Sequence, residues 1–378
     1  MFNRKNKTNE NLFNVVFDIR NSSLGAAIFS EENNTSNIIY TKRIYLPLKK
    51  DDQSNFLIDS MYKVFDELLE DIRKFKTENE IKSINRVNCI FSSPWYQAEV
   101  ETLIFDEKME LVFTKDYLNK KIKKEEIKKD DNNTVLEDQI LSTYLNGYEV
   151  INPYDKKFKQ AKFAVYKSFI SKNTDRNIKN KIFNTLKTKS IFLNSHPLAI
   201  LSILKTNYHS INDFCLFDVG GEVTEVSIFS DGLFKELINI PKGFNYLIKE
   251  IAEKENIDTQ AAISKIKLIS EGELKDDKLN SFINKKIKEW FTEIKNIRKE
   301  EIQNVSKNIF ITTDNNFEKI ISDAMNQKEF YSEILELFIQ PFIRVIDSIN
   351  TKNLATYKDG ITRDPILSIL CNFSTIVF

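Results

Sequence analysis

The stretch Phe214-Cys-Leu-Phe-Asp-Val-Gly-Gly-Glu-Val-Thr-Glu-Val-Ser-Ile-Phe-Ser-Asp-Gly232 decides how the rest of the chain is read. Apolar residues from Phe214 lead to Asp218, a Gly220-Gly221 turn follows, and Val226, Ile228 and Phe229 carry a second apolar run to a further turn at Asp231-Gly232. Two such runs around a glycine turn make a β-hairpin, here with a carboxylate at its mouth. The chain holds only 8 glycines in 378 residues, against an average usage of about 7%. Yet Gly220, Gly221, Gly232 and Gly243 lie close together. Glycine used so sparingly marks places where backbone turns with φ > 0 or comes close to something.

The pattern recurs 200 residues upstream: Phe17-Asp18-Ile19 answers Phe217-Asp218-Val219, and Ile28-Phe29-Ser30 answers Ile228-Phe229-Ser230. Matched strand-turn-strand units at one offset indicate two related halves facing one another. Aspartates so placed can hold a hydrated Mg²⁺ between them, with turn amides and the side chains of Asn21, Ser22, Ser23 and Thr224 around phosphate oxygens. They can equally be plain turn formers at strand ends.

At these residues the sequence resembles the actin-like ATPase superfamily, whose two phosphate loops have this form. The resemblance runs from Val15 to about Met325. It implies an α/β fold of the actin-like, ribonuclease H-like type: duplicated mixed sheets flanked by helices, two lobes around a central cleft, and an inserted α+β subdomain. Within the superfamily the chain is most similar to the FtsA/PilM branch, division and type IV pilus scaffolds. There the insertion reads as a helix, an Asn-Gly turn, an Asn-Pro turn and a strand, matched here by Asn146-Gly147, Asn152-Pro153 and Phe163 to Ile170. The implied division is 1–105 for the first lobe, 106–173 for the insertion, 174–210 to complete the first lobe and 211–378 for the second.

Composition sets outer bounds. Hydrophobic residues make up 41% of the chain, enough for a sizeable core. Lys and Arg number 55 and Asp and Glu number 55, so no global field favours nucleic acid or an anionic membrane. Cys89, Cys215 and Cys371 sit among apolar residues without metal-ligand spacing, the pattern of buried thiols in a reducing compartment. His196 and His209 are too isolated to ligate a metal. Met1 to Glu10 lacks an apolar signal core and no apolar run reaches 18 residues. The expected location is the cytosol, with at most peripheral contact at the inner face of the cell membrane.

Along the chain, Ile38-Ile39-Tyr40 and Ile44-Tyr45-Leu46 read as short strands. Leu57, Met61, Val64, Phe65, Leu68, Leu69 and Ile72 recur at helical spacing. Strands follow at Val87 to Phe91 and Val100 to Phe105, and Thr114 caps a helix through Leu118. The mixed-charge run from Lys120 to Asp131 reads as a solvated face. Helices are expected from Asn177, Leu198, Asn245 and Thr259, the last with Thr259 as its cap, and from Lys285 to Gln303; Asn308 to Ile311 is a strand. Phe330 to Ile349 reads as a helix broken at Pro341. Ile366 to Phe378 is too short to span a bilayer and is expected to pack onto the domain.

In the family, nucleotide sites depend on backbone amides approaching phosphate, and here several glycines of the pattern are replaced. Arg20 stands for one in the first loop, Glu222 for the third in the second loop, and Phe244 for the second after Gly243. The adenine-side loop, Ile311-Thr-Thr-Asp-Asn-Asn316, has none. Arg20 either holds a phosphate through its guanidinium fork or pairs with Glu222 across the cleft, and the pair is the favoured expectation. Lys265 is placed by resemblance near the adenosine pocket, although a plain exposed lysine fits as well. Hydrolysing members often carry an acid or amide where this chain has His196, so no catalytic residue is assigned.

Two readings follow. In the first, the chain is a cytosolic scaffold resembling FtsA that binds protein partners in cell division, with a PilM-like scaffold of type IV pilus assembly as the alternative; the partners by resemblance are the division tubulin or pilus inner-membrane components, with self-association open and the cleft weakened or lost. In the second it is an ATPase in which Asp18 and Asp218 hold Mg through water, and Gly220, Gly221, Thr224 and Gly243 organise ATP. The cofactors are therefore ATP with Mg, or none.

Overall fold

The computed structural model describes residues 12–32, 35–48, 56–124, 132–150, 152–207, 211–230, 233–297, 306–313, 317–346, 351 and 353–377. Its first half begins with an antiparallel meander, β1 (Phe13–Ile19), β2 (Ser23–Glu32) and β3 (Thr35–Tyr45). The two short strands expected between Ile38 and Leu46 are one strand, β3, kept continuous by its pairing with β2. Helix α1 (Phe56–Glu78) then lays Met61, Val64, Phe65, Leu68, Leu69 and Ile72 on the sheet, as the spacing predicts. Strand β4 (Ile84–Phe91) returns parallel to β1.

The inserted unit is built from β5 (Tyr96–Val112), α2 (Lys115–Lys124), β6 (Asn133–Leu145), β7 (Tyr148–Glu149) and β8 (Lys157–Ser171), in sheet order β5-β8-β6-β7. Thr114 Oγ1 accepts from the Tyr117 N–H and caps α2, which runs past the expected end at Leu118. Residues 125–131 of the charged run lie outside the described residues. Phe113, Phe158, Phe163 and Leu145 form the unit's own small core.

The chain re-enters the first lobe through α3 (Lys172–Leu186), β9 (Ile191–Ser195), parallel to β4, and α4 (His196–Asn207). The second lobe repeats the plan: β10 (Phe214–Val219), β11 (Thr224–Ser230) and β12 (Leu233–Ile240) form a meander. Helices α5 (Phe244–Glu255), α6 (Thr259–Glu271), α7 (Asp277–Phe291) and α8 (Glu293–Ile297) follow, then β13 (Asn308–Thr313), α9 (Glu318–Met325), α10 (Lys328–Glu333) and β14 (Phe342–Val345). The two sheets share one order, β3-β2-β1-β4-β9 and β12-β11-β10-β13-β14. The register is repeated as well, Asp18 opposite Gly25 and Asp218 opposite Glu225.

Several expectations change. Asp258, not Thr259, caps α6, its carboxylate accepting from the Ala261 N–H. The helix expected over Phe330 to Ile349 ends at Glu333: Glu336 takes φ 57, and Phe342–Val345 pairs parallel to β13. A left-handed residue followed by Pro341 stops a helix, while Phe-Ile-Arg-Val favours a strand. The turn at Asp231-Gly232, the segment 298–305, His209 and Asp314 to Asn316 lie outside the described residues.

The last elements, β15 (Ala355–Tyr357) and α11 (Pro365–Val377), return to the first lobe. β15 pairs parallel with β3, so the sequence division that put everything after 211 in the second lobe does not hold for them. Helix α11 packs as expected, and its Leu367 and Leu370 join Val16, Phe29, α4 and the second-sheet residues Phe214, Leu216 and Phe310 in one core. The two lobes therefore share buried apolar surface through α4 and α11. Cys89, Cys215 and Cys371 are buried, and no helix among the described residues is long and apolar enough to cross a membrane. Leu370→Ala should cost about 2–5 kcal/mol in urea denaturation; a cost near zero would show that α11 is not part of the cooperative core.

Candidate functional site

The mouths of both hairpins are tight turns, closed by Arg20 N–H to Ser23 O (3.0 Å) and Gly220 N–H to Val223 O (3.1 Å). These turns bring Asp18 and Asp218 into one buried cluster between the lobes. Asp18 Oδ2 accepts from Arg43 at 2.8 Å, and the same guanidinium donates to Ser23 Oγ at 2.8 Å and to Asp364 Oδ2 at 2.7 Å. Arg43 reaches Asp18 because Gly25 lies between them in register: a Cβ there would stand 2.8 Å from the Arg43 terminal nitrogen. Burial raises the Asp18 carboxyl above its ordinary value, and Arg43, Arg20 and His196 pull it back in part. Asp18 Oδ1 is buried without a hydrogen-bond partner.

Across the boundary Arg20, fully buried, is ion-paired to Asp218. This corrects the expected pairing with Glu222: the buried Asp218 is the carboxylate that lies in reach. Glu222 instead accepts from Asn245 Nδ2 at 2.7 Å. Arg20 also lies 3.2 Å from His196 Nε2, and His196 Nδ1 lies 3.2 Å from Asp218 Oδ2. A guanidinium only donates, so partner logic assigns Nε2 as acceptor and places the imidazole proton on Nδ1, toward Asp218. Thr312 Oγ1 donates to Asp218 Oδ1 at 2.7 Å. Burial pushes the Asp218 carboxyl up, but Arg20, His196 and Thr312 outweigh it and hold it well below the usual carboxylate range.

The two loops touch directly. Asn21 Oδ1 accepts from the Glu222 N–H at 2.8 Å, while its Nδ2 donates to Ser93 O at 2.6 Å. A Cβ on Gly220 would lie 2.6 Å from Asn21 Nδ2, and one on Gly221 2.7 Å from Ser22 Cβ. At Gly243 it would lie 2.3 Å from Gly220 O. The glycines are thus required by loop packing on loop and helix. The first amides of α5, Phe244 N–H and Asn245 N–H, donate to Gly220 O and Gly221 O, both at 2.9 Å. Thr224 Oγ1 donates to Lys242 O at 2.9 Å, and Lys265 pairs with Glu255 at 2.9 Å on the second lobe.

Arg43, Thr312, Ser93, Tyr96 and Glu225 belong to this region, and the sequence motifs do not single them out. Ser93 and Tyr96, from the first lobe and the inserted sheet, both bind Glu225 of β11. Only Gly25, a glycine inside a strand, signals one of them, since such a residue marks a close approach. Among the described residues no group of three or more His, Cys, Asp or Glu side chains is gathered as for a metal ion.

No family model matches the chain, and no curated protein does. Solved structures do match in fold. The PilM-PilN type IV pilus biogenesis complex gives a TM-score of 0.61 at 10% identity, over 96% of this chain and 97% of that chain. The ethanolamine utilization protein EutJ from Carboxydothermus hydrogenoformans gives 0.45 at 11% identity, over 96% and 89%. A Bacteroides thetaiotaomicron protein described as having an actin-like ATPase fold gives 0.41 at 10%, over 97% and 98%. The chain has the actin-like ATPase fold. The likeness to the PilM-PilN structure spans nearly the whole length of the chain.

Arg20→Ala would leave Asp218 buried without its ion-pair partner and should destabilise the protein by about 3–5 kcal/mol, read by denaturant unfolding; a loss under about 1 kcal/mol would deny the pair its role. Burial, then the neighbouring Asp218, raises Glu225 from 4.5 to about 7. The folded state then binds this proton more tightly than the unfolded chain, so its stabilising effect is complete below pH 4.5 and lost as pH rises towards 7. Glu225→Gln should remove that fall from unfolding curves recorded between those limits.

Proposed function

We propose that this chain is an actin-like scaffold that binds protein partners and that its cleft does not take Mg-ATP. The observation that carries the reading is the buried Arg20 guanidinium, paired with Asp218 and set against His196 between the two loops. A hydrated Mg²⁺ needs near-octahedral oxygen ligands and room for its waters. Asp218 already carries a guanidinium, and Asp18 is faced by Arg43, which leaves Asp18 Oδ1 as the open carboxylate oxygen.

The phosphate side fares no better. Donors that would face phosphate are committed to protein acceptors: the Glu222 amide to Asn21, and the α5 amides to the second loop's carbonyls. Asn21 and Ser22 lie against Gly220 and Gly221 where phosphate would pass between the loops. Of the sites named for nucleotide, Asp218, Gly220 and Gly221 in this reading hold the two lobes together, while Asp18, Thr224 and Gly243 bond or pack within their own lobes.

Fold likeness supports the partner class. PilM was solved in a complex with PilN, so a pilus-type inner-membrane protein is the first partner to test, and the division tubulin of the FtsA resemblance the second. Thermal unfolding with Mg-ATP tests the cleft. A ligand at a hundred times its Kd stabilises by about 2.7 kcal/mol, so the expected result is an unchanged Tm at millimolar Mg-ATP, and a rise of several degrees would favour the ATPase reading.

A further inference from the structure

The sheets of both lobes end against the same third sheet. Among the described residues β9 is the edge strand of the first sheet and β12 that of the second. Strand β6 of the inserted sheet packs on β9, while β5, β6 and β8 pack on β12. The insertion therefore has a seat on each lobe.

The seat on the first lobe is polar. Glu137 of β6, buried, accepts from Ser168 Oγ (2.6 Å) on its own sheet, and from Asn194 Nδ2 (3.1 Å), Ser195 N–H (3.0 Å) and Ser195 Oγ (2.5 Å) at the end of β9. Pulling the sheets apart here strands a carboxylate without three of its donors. The seat on the second lobe is aromatic. Phe214, Phe229 and Phe234 are register partners on β10, β11 and β12, and their rings stack with centroids 4.3 and 4.5 Å apart. Tyr166 of β8 adds a fourth ring, 5.7 Å from Phe234 and 16° from its plane. Ala98 and Val100 of β5 pack into the same core, and Tyr96 at the start of that strand is hydrogen-bonded to Glu225.

Tyr166 belongs to both seats. Its ring lies on the second lobe, and its hydroxyl donates to Ser195 Oγ of the first at 2.7 Å. We propose that the inserted sheet is a brace that sets the angle between the two lobes, with Tyr166 the side chain through which it holds both. Turning one lobe against the other then requires breaking either the Glu137 bonds or the ring stack. Seating and lobe angle are linked, so whatever favours one position of the sheet favours the lobe angle that goes with it. The brace stands whether or not the aspartate cluster takes a nucleotide.

Double electron-electron resonance on the full chain reads the angle. Lys63 on α1 and Lys319 on α9 are exposed, and as Lys63→Cys and Lys319→Cys they take spin labels while the three native cysteines stay buried. The brace predicts one narrow distance in this chain. Tyr166→Leu removes the ring and the hydroxyl together, and Phe234→Leu removes the ring contact alone. Each should add a second distance holding about a tenth or more of the signal, and Phe234→Leu carries the test if Tyr166→Leu loses its native circular dichroism. Ile251→Ala opens a cavity in the second lobe's own core, away from both seats, and should keep the single distance. An unchanged narrow distance in either folded variant overturns the brace. So does a second distance of equal size in Ile251→Ala.

Discussion

The structure depends on a guanidinium held between two lobes. Arg20 leaves the first hairpin turn, enters the boundary fully buried and pairs with Asp218, the residue of the second hairpin that matches Asp18. A charge taken so far from water is tolerable only when paired and hydrogen-bonded. Asp218 gives the pairing, and His196 closes the triangle with Nδ1 3.2 Å from the carboxylate. Around this pair the loops have no freedom to part without stranding charge. The glycines that would let backbone approach a ligand instead let the two loops and the start of α5 approach each other.

The duplication explains why the two aspartates are treated differently. Each sits in the first strand of a meander with the same register, yet its neighbours diverge. Next to Asp18 stands Gly25, and beyond it Arg43, which crosses the glycine position to bind the carboxylate. Next to Asp218 stands Glu225, and beyond it Asn239. The first half thus neutralises its aspartate from within its own sheet. The second carries an added acid there and draws its positive charge from Arg20 of the other lobe. One sheet is electrostatically self-sufficient and the other is not, so the lobes are held together by charge as well as by the apolar core of α4 and α11.

Much of this is readable from local sequence. The hairpins, the α1 stripe, the strand at Asn308 and the buried thiols follow from spacing and turn chemistry, which act over a few residues. The repeat of Asp18 and Asp218 points to two facing halves, and the fold has them. What escapes are partners far apart in the chain. Sequence pairs Arg20 with Glu222, because charge complementarity says which signs can meet and not which carboxylate is buried at the right depth. Arg43 lies outside both loops and acquires its role only through strand register. Phe342–Val345 reads as helix because a short apolar run fits either period, and parallel pairing with β13 decides it. The return of β15 and α11 to the first lobe has no local signal at all.

The most direct measurement is a crystal of the full chain soaked in Mn²⁺ and ATP, with anomalous difference density recorded at the manganese edge. The account predicts continuous density for the Arg20 guanidinium between Asp218 and His196 and no anomalous peak in the cleft. A manganese peak between Asp18 and Asp218, with Arg20 swung out to make room, would contradict it.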